Sequence, residues 1–504
     1  EWTTMEMDLQ QTVLESWRTV LDTAISREEV MESIVPDAFP DVARVIAVNG
    51  TVCLTGKEAS SGTARLTGML SMTVLYVPDE GDGTVTSLTV KQPIQLGCDS
   101  PQLTEECQLQ GTVCSVLGSG HLINPRKLFL KAEVRAWLRA FVPDRRTVVS
   151  GLGAADADIQ QKSVSAQDCS VAAVLEKPFL FSDVLRPSAS KPPMDALLFS
   201  CIHPGVLDVK YIGKRLICKG EMVLEVLYRS GSETAEASFT LPYSQVMDFE
   251  GSFEEGDPDV AAAVRGVEVA LNDGELEVSV DCLLQAALWA RRQVTVLSDL
   301  YSTTRPLEVT CGSCAFCTDR QAGSRRESAR QFFPSEIPAR QVLRCSTEMT
   351  SYHCESGRCD IEAEVTVLCL SESGTLYSAG YLLPVSCTAE LPEGCSYVWR
   401  FQCGEATAVP VTGGLEVRLE AEFCWSALTM TDLSYVSSVR ECSAPAAQGP
   451  RPSVVIRPVG QGETLWDAAK SCGAAVDDIC AVNGLAGEAA VQPGTVLLIP
   501  TKRV

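Results

Sequence analysis

Three stretches of this 504-residue chain are variations on one pattern, and that internal repeat limits the fold more than any other feature. Residues 66–96, 219–248 and 362–391 each read as an alternating apolar strand, an acidic or Ser/Gly turn, and a second strand ending in an apolar-Pro or Gln-Pro step. Tyr76, Tyr228 and Cys369 fall at matching places. The approach to each copy repeats as well, with Pro36, Pro187 and Pro334 about 150 residues apart. Each copy closes with turn residues before a long strand of period two, in residues 121–138, 270–288 and 410–428. Asn272-Asp273-Gly274 is the clearest hairpin signal.

Strict alternation means that one sheet face is buried and the other wet, which favours antiparallel pairing. The expected fold class is therefore mainly β, with three tandem antiparallel β-sandwich-like repeats at 31–145, 175–300 and 330–442. Ahead of them, Leu9, Val13, Leu14, Trp17, Val20 and Leu21 recur at helical spacing, so residues 1–30 are expected to be a helical segment packed on the first repeat. Pro, Ala, Gly and Ser without apolar periodicity make 443–453 an expected linker, and the module after it an expected mobile one.

The last segment, 454–504, has the order strand, helix, helix, strand, with Thr464 placed to cap the first helix and Gly473 to close it. Gly462-Glu463-Thr464-Leu465-Trp466, Asn483-Gly484-Leu485, Pro493-Gly494 and Ile499-Pro500 occur in the order found in LysM domains, which this segment resembles. That resemblance implies a groove with Gly462, Glu463, Thr464 and Leu465 on one wall and Asn483, Gly484 and Leu485 on the other. Exposed backbone amides there suit an N-acetylated amino sugar or a peptide strand equally. Arg457 stands where an aromatic residue is common, which weakens the case for sugar stacking. Leu465, Trp466, Ile479 and Leu485 also serve as the core of so small a domain.

Repeats of this type followed by one LysM domain resemble the SipL-type spore coat assembly family of spore-forming Clostridia, with tandem spore-coat (SPOCS) domains. The segments carrying the likeness are 35–58, 74–88 and 121–134. The resemblance implies a scaffold of the mother-cell cytoplasm that coats the forespore surface. Its LysM domain would dock onto a coat morphogenetic ATPase (SpoIVA-like), alongside other coat proteins. The alternative is a peptidoglycan-binding protein of the cell wall or spore cortex, gripping N-acetylglucosamine.

Composition narrows the partners. With 41 Lys and Arg against 65 Asp and Glu, net charge is −24, and such a surface repels phosphate backbones, so no nucleic acid is expected. No run of 18 apolar residues offers membrane insertion, and the opening EWTTMEMDLQQTVLESW does not read as an export signal. An enzyme is not expected, and no cofactor. His121, His203 and His353 sit in no G-x-S-x-G context or helical metal pair, and no phosphate-cradling G-x4-G-K-[ST] loop occurs. The 22 cysteines are expected to be mostly free thiols. Two runs stand apart: Cys311, Cys314 and Cys317 at C-x2-C-x2-C, and His353, Cys354 and Cys359. The first could supply three thiolates to a metal, although no fourth ligand is evident. It could otherwise cross-link between chains by disulfide exchange.

Overall fold

The computed structural model describes residues 7–79, 84–153, 156–250, 256–442, 452–486 and 491–501. Eighteen long strands fall into three modules of six with the same topology. The first holds β1 (Leu9–Ile34), β2 (Val42–Ser60), β3 (Thr63–Pro78), β4 (Thr86–Asp99), β5 (Gln108–Asn124) and β6 (Lys127–Leu152). The second holds β7 (Ile159–Leu185), β8 (Ala196–Ile212), β9 (Arg215–Ser230), β10 (Glu233–Asp248), β11 (Gly256–Asn272) and β12 (Glu275–Ser302). The third holds β13 (Leu307–Pro334), β14 (Ala339–Glu355), β15 (Arg358–Ser371), β16 (Leu376–Thr388), β17 (Ser396–Val411) and β18 (Gly414–Glu441). In each, strands two to four form one antiparallel sheet. The first strand pairs with the sixth and the sixth with the fifth to form the other. The two sheets close over an apolar core, with Leu66, Leu70, Leu128 and Leu130 fully buried in the first module and Leu216, Leu224, Leu276 and Leu284 in the second.

The sandwich repeat is thus as the alternation indicates, and Asp273 and Gly274 at φ 50° and 80° make the β11–β12 turn of the kind that Asn-Asp-Gly encodes. The N-terminal helix is not formed. Residues 9–34 are β1, paired along their whole length with β6. Burial alternates through Leu14 and Ser16, while Val13, counted on the apolar helical stripe, is 43% exposed. Thr, Val and Trp in this stretch favour an extended chain, and the pairing partner lies far off in sequence, from Ile34↔Lys127 to Leu9↔Leu152. Each module therefore starts earlier than the expected 31, 175 and 330, at Leu9, Ile159 and Leu307.

The extra length of these first strands ties the modules together. Their outer halves pair with the outer halves of β6, β12 and β18, and the three ribbons converge. Val149, Leu152, Ile159, Leu297, Leu300, Val436 and Val439 share one cluster, and Leu14, Val148, Val294, Val296 and Phe316 a second. Trp17 meets Val171 across β1 and β7, merging the sheets of the first two modules into one of six strands. The other three sheets converge as well, bringing Leu75, Leu227 and Leu368, which occupy matching register positions, into one cluster.

Candidate functional site

The C-terminal module has β19 (Val454–Pro458) paired antiparallel with β20 (Val496–Pro500), and α1 (Leu465–Cys472) and α2 (Val476–Asn483) between them. α1 begins at Thr464, whose hydroxyl accepts from the Asp467 amide while the Asp467 carboxylate accepts from the Thr464 amide. This hydrogen bonding holds the Asp467 carboxyl below its usual range. α1 and α2 end at Gly473 and Gly484, both left-handed. Leu465, Ala468, Ile479, Leu497 and Ile499 are fully buried between helices and strands.

Each of the two loops proposed as groove walls is fastened to the β19–β20 sheet, and most of their side chains are used to build the domain. Leu465 is in the core. Glu463 accepts from the Gly460 amide and pairs with Arg457, whose other arm donates to Ser471 Oγ at 2.7 Å. Asn483 donates to the carbonyls of Ile479 and Leu498 and accepts from the Leu498 amide at 2.8 Å, fastening α2 to β20. Leu485 packs against the core from its edge. Gly462 and Gly484, at φ 77° and 62°, have open space where a side chain would project. What faces solvent is mainly backbone at 460–462 and 484–486, with the side chains of Gln461 and Thr464. Such a surface recognises amide groups by hydrogen bonds and has little aromatic area for stacking. Residues 459–500 match the LysM domain family. This module is a LysM domain. No curated protein and no solved structure matches the chain.

The LysM domain does not hang free of the body among the described residues, although the linker itself, through residue 451, lies outside them. Trp466 Nε1 donates to Asp299 Oδ2 at 2.8 Å, and Lys470 Nζ reaches both Asp299 oxygens at 2.7 Å. The Tyr301 hydroxyl donates to the Ala474 carbonyl at 2.7 Å, and its ring meets Trp466 edge-on with centroids 4.9 Å apart. Lys162 lies over the Trp466 ring, and the Val476 amide donates to Gln160. The expected mobility is therefore replaced by a seat on the ends of β7 and β12. Sequence reasoning assigned Trp466 to the core alone. Its second role depends on Asp299, 167 residues away, and no local signal marks that partner.

The cysteine runs do not make metal sites. Cys311, Cys314 and Cys317 lie along the extended strand β13 and point alternately to its two faces, so three thiolates cannot converge. Among the described residues no group of three or more His, Cys, Asp or Glu is placed to hold a metal. Cys317 is buried against Cys169 of β7, a contact that holds the Cys169 thiol down at about 7 and its own up. Cys354 and Cys359 face each other across the β14–β15 hairpin and form a disulfide, while His353 points away to solvent beside Glu355. The remaining twenty cysteines are free thiols. Among the described residues no helix is long and apolar enough to cross a membrane.

Proposed function

We propose that this chain is a non-enzymatic scaffold of spore coat assembly, in which the three-module body builds lateral contacts and the LysM domain docks a protein, the coat morphogenetic ATPase. The observation that carries the reading is the seat of the LysM domain. Trp466, Lys470 and Tyr301 fix its orientation on the body while loops 460–462 and 484–486 face outward. A domain held that way presents its ligand surface at a set angle to the body, as an adaptor requires. The likeness of the repeats to the spore-coat family supports the place of action, the mother-cell cytoplasm and forespore surface.

A second reading, binding of N-acetylglucosamine in peptidoglycan, is favoured by the LysM family itself and by the exposed loop amides. The full chain and a Gln461→Trp/Ala486→Trp variant, whose new rings block the loops without touching the core, separate the two. Capture of the ATPase by the full chain and its loss in the variant is the expected result. Sedimentation of the full chain with purified peptidoglycan, with the ATPase ignored, would overturn the docking reading.

A further inference from the structure

The three strands β2, β8 and β14 occupy the same place in their modules, and their central stretches share an unusual property. From Ala47 to Cys53, from Ser200 to Val206 and from Arg344 to Glu348, every residue keeps solvent access, and the buried/exposed alternation disappears. Register places Asn49, Cys201 and Ser346 at one matching level, opposite Thr73, Glu225 and Thr366. Thr51, His203 and Glu348 form the next. Contacts between modules show that these levels face one another. Arg344 donates to Asn49 Oδ1 at 3.0 Å and to Glu225 Oε2 at 3.3 Å, and lies over the Phe199 ring at 4.6 Å. Glu348 accepts from the Ser115 hydroxyl and the Val116 amide. The junction of the three modules is therefore lined by polar side chains that are partly open to solvent and closely surrounded by protein.

Within it, Cys201 Sγ lies 3.4 Å from His203 Nε2. Two residues apart on one strand, the two side chains share a face, so strand geometry itself holds the thiol against the imidazole. We propose that Cys201 and His203 form a thiol modification site that accepts small disulfides. His203 Nε2 takes the Cys201 proton, and the thiolate attacks one sulfur of the disulfide. The Cys201 S–S bond forms as the reagent's S–S bond breaks, and the leaving thiolate recovers a proton from the imidazolium. The electron count is unchanged, because the incoming disulfide supplies the oxidation.

The surroundings favour the pair. The Cys201 sulfur, with help from Glu225, raises His203 to about 9 against burial and the Arg344 charge. Glu348, whose own carboxyl burial pushes up, stands within reach of the imidazolium field. Several other thiols are poorer. Burial pushes Cys114, Cys282, Cys345 and Cys403 up to about 12, and Cys218 and Cys424 up to about 11. Cys169 and Cys317 satisfy each other and are 3% and 8% exposed. Cys311 is exposed on its strand.

The experiment treats the reduced full chain with a sub-stoichiometric aryl disulfide, 5,5′-dithiobis(2-nitrobenzoate), and maps the modified peptide by mass spectrometry across pH 5–9. Cys201 is expected to react first. His203→Gln, checked for an unchanged melting curve, is expected to slow Cys201 by at least about tenfold while the other thiols keep their rates. First reaction at Cys311 or Cys169 would overturn the proposal, as would a His203→Gln variant in which Cys201 reacts as fast as before. If that variant does not fold, the order of labelling in the wild-type chain decides alone.

Discussion

At the scale of single residues, one buried ion cluster joins all three modules. Asp259 of β11 pairs with Arg139 of β6 at 2.7 Å and with Arg400 of β17 at 2.8 Å, and Arg400 reaches Asp22 of β1 at 3.3 Å. Burial alone would raise the Asp259 carboxyl, but the Arg139 and Arg400 guanidiniums outweigh it and hold the carboxyl far below its usual range. Replacing Asp259 by Asn leaves Arg139, 6% exposed, without its countercharge. Breaking one partner of a buried pair costs about 3–5 kcal/mol, much of it from the charge left behind. Because the folded carboxyl is depressed, its contribution is present in full above the unfolded pKa of about 3.9 and is lost progressively as pH falls from there through the lower folded value. The expected outcome in denaturant unfolding is a large destabilisation of Asp259→Asn at pH 7 that shrinks only in strong acid. An equal stability gap at pH 7 and pH 2 would contradict it. A second residue-level feature explains the divergence of the third repeat. Tyr76 and Tyr228 donate to the carbonyls of Pro40 and Pro192, anchoring the lead-in loops, and Cys369 cannot. Tyr377, its partner across the β15–β16 pair, donates to the Ile337 carbonyl at 3.0 Å instead. Aligned segments show the lost tyrosine but not the one that replaces it, because the substitute comes from the neighbouring strand.

At the scale of elements, the outer strands β4, β10 and β16 each carry a proline at a matching place, Pro93, Pro242 and Pro384, opposite Met69, Glu221 and Glu362. A proline cannot donate to a ladder, so a strand added along any of these edges meets a missing donor near its middle. These three edges are thus guarded against strand addition. Replacing all three prolines by Val is expected to leave the fold intact and to raise concentration-dependent self-association, seen by light scattering. Unchanged monodispersity would mean that the edges are protected by something else. The hairpins and the LysM caps were legible, because each is written in a few adjacent residues; the Pro steps read as strand ends, whereas β4, β10 and β16 run on past them. β1 was not. Its apolar residues fit a helical and an extended period about equally over a short window, and β6, which decides the matter, lies beyond any local window. The groove residues were legible as a set but not in their roles. Leu465 and Asn483 mark the LysM pattern because they hold the loops in place, and that requirement leaves their side chains turned inward.

For the whole molecule, the decisive arrangement is a body of three interlocked sandwiches with the LysM domain seated at one end. Asp299 is the centre of the seat, accepting from both Trp466 and Lys470, and its own side chain is largely enclosed. Asp299→Ala removes both hydrogen bonds and leaves the Trp466 indole N–H without its acceptor, at a cost of about 1–3 kcal/mol. The LysM core rests also on Leu465, Ile479, Leu497 and Ile499, whereas the bonds to Asp299 come from Trp466 and Lys470, so the domain itself should stay folded. The variant is thus expected to loosen the seat alone. Amide hydrogen exchange should quicken in α1 and around Tyr301 while β3, β9 and β15 stay protected. If adaptor function depends on a set angle, capture of the coat ATPase should then weaken even though loops 460–462 and 484–486 are untouched. Quickened exchange with full capture would show that the domain works as a tethered binder and that its orientation on the body is not part of the mechanism.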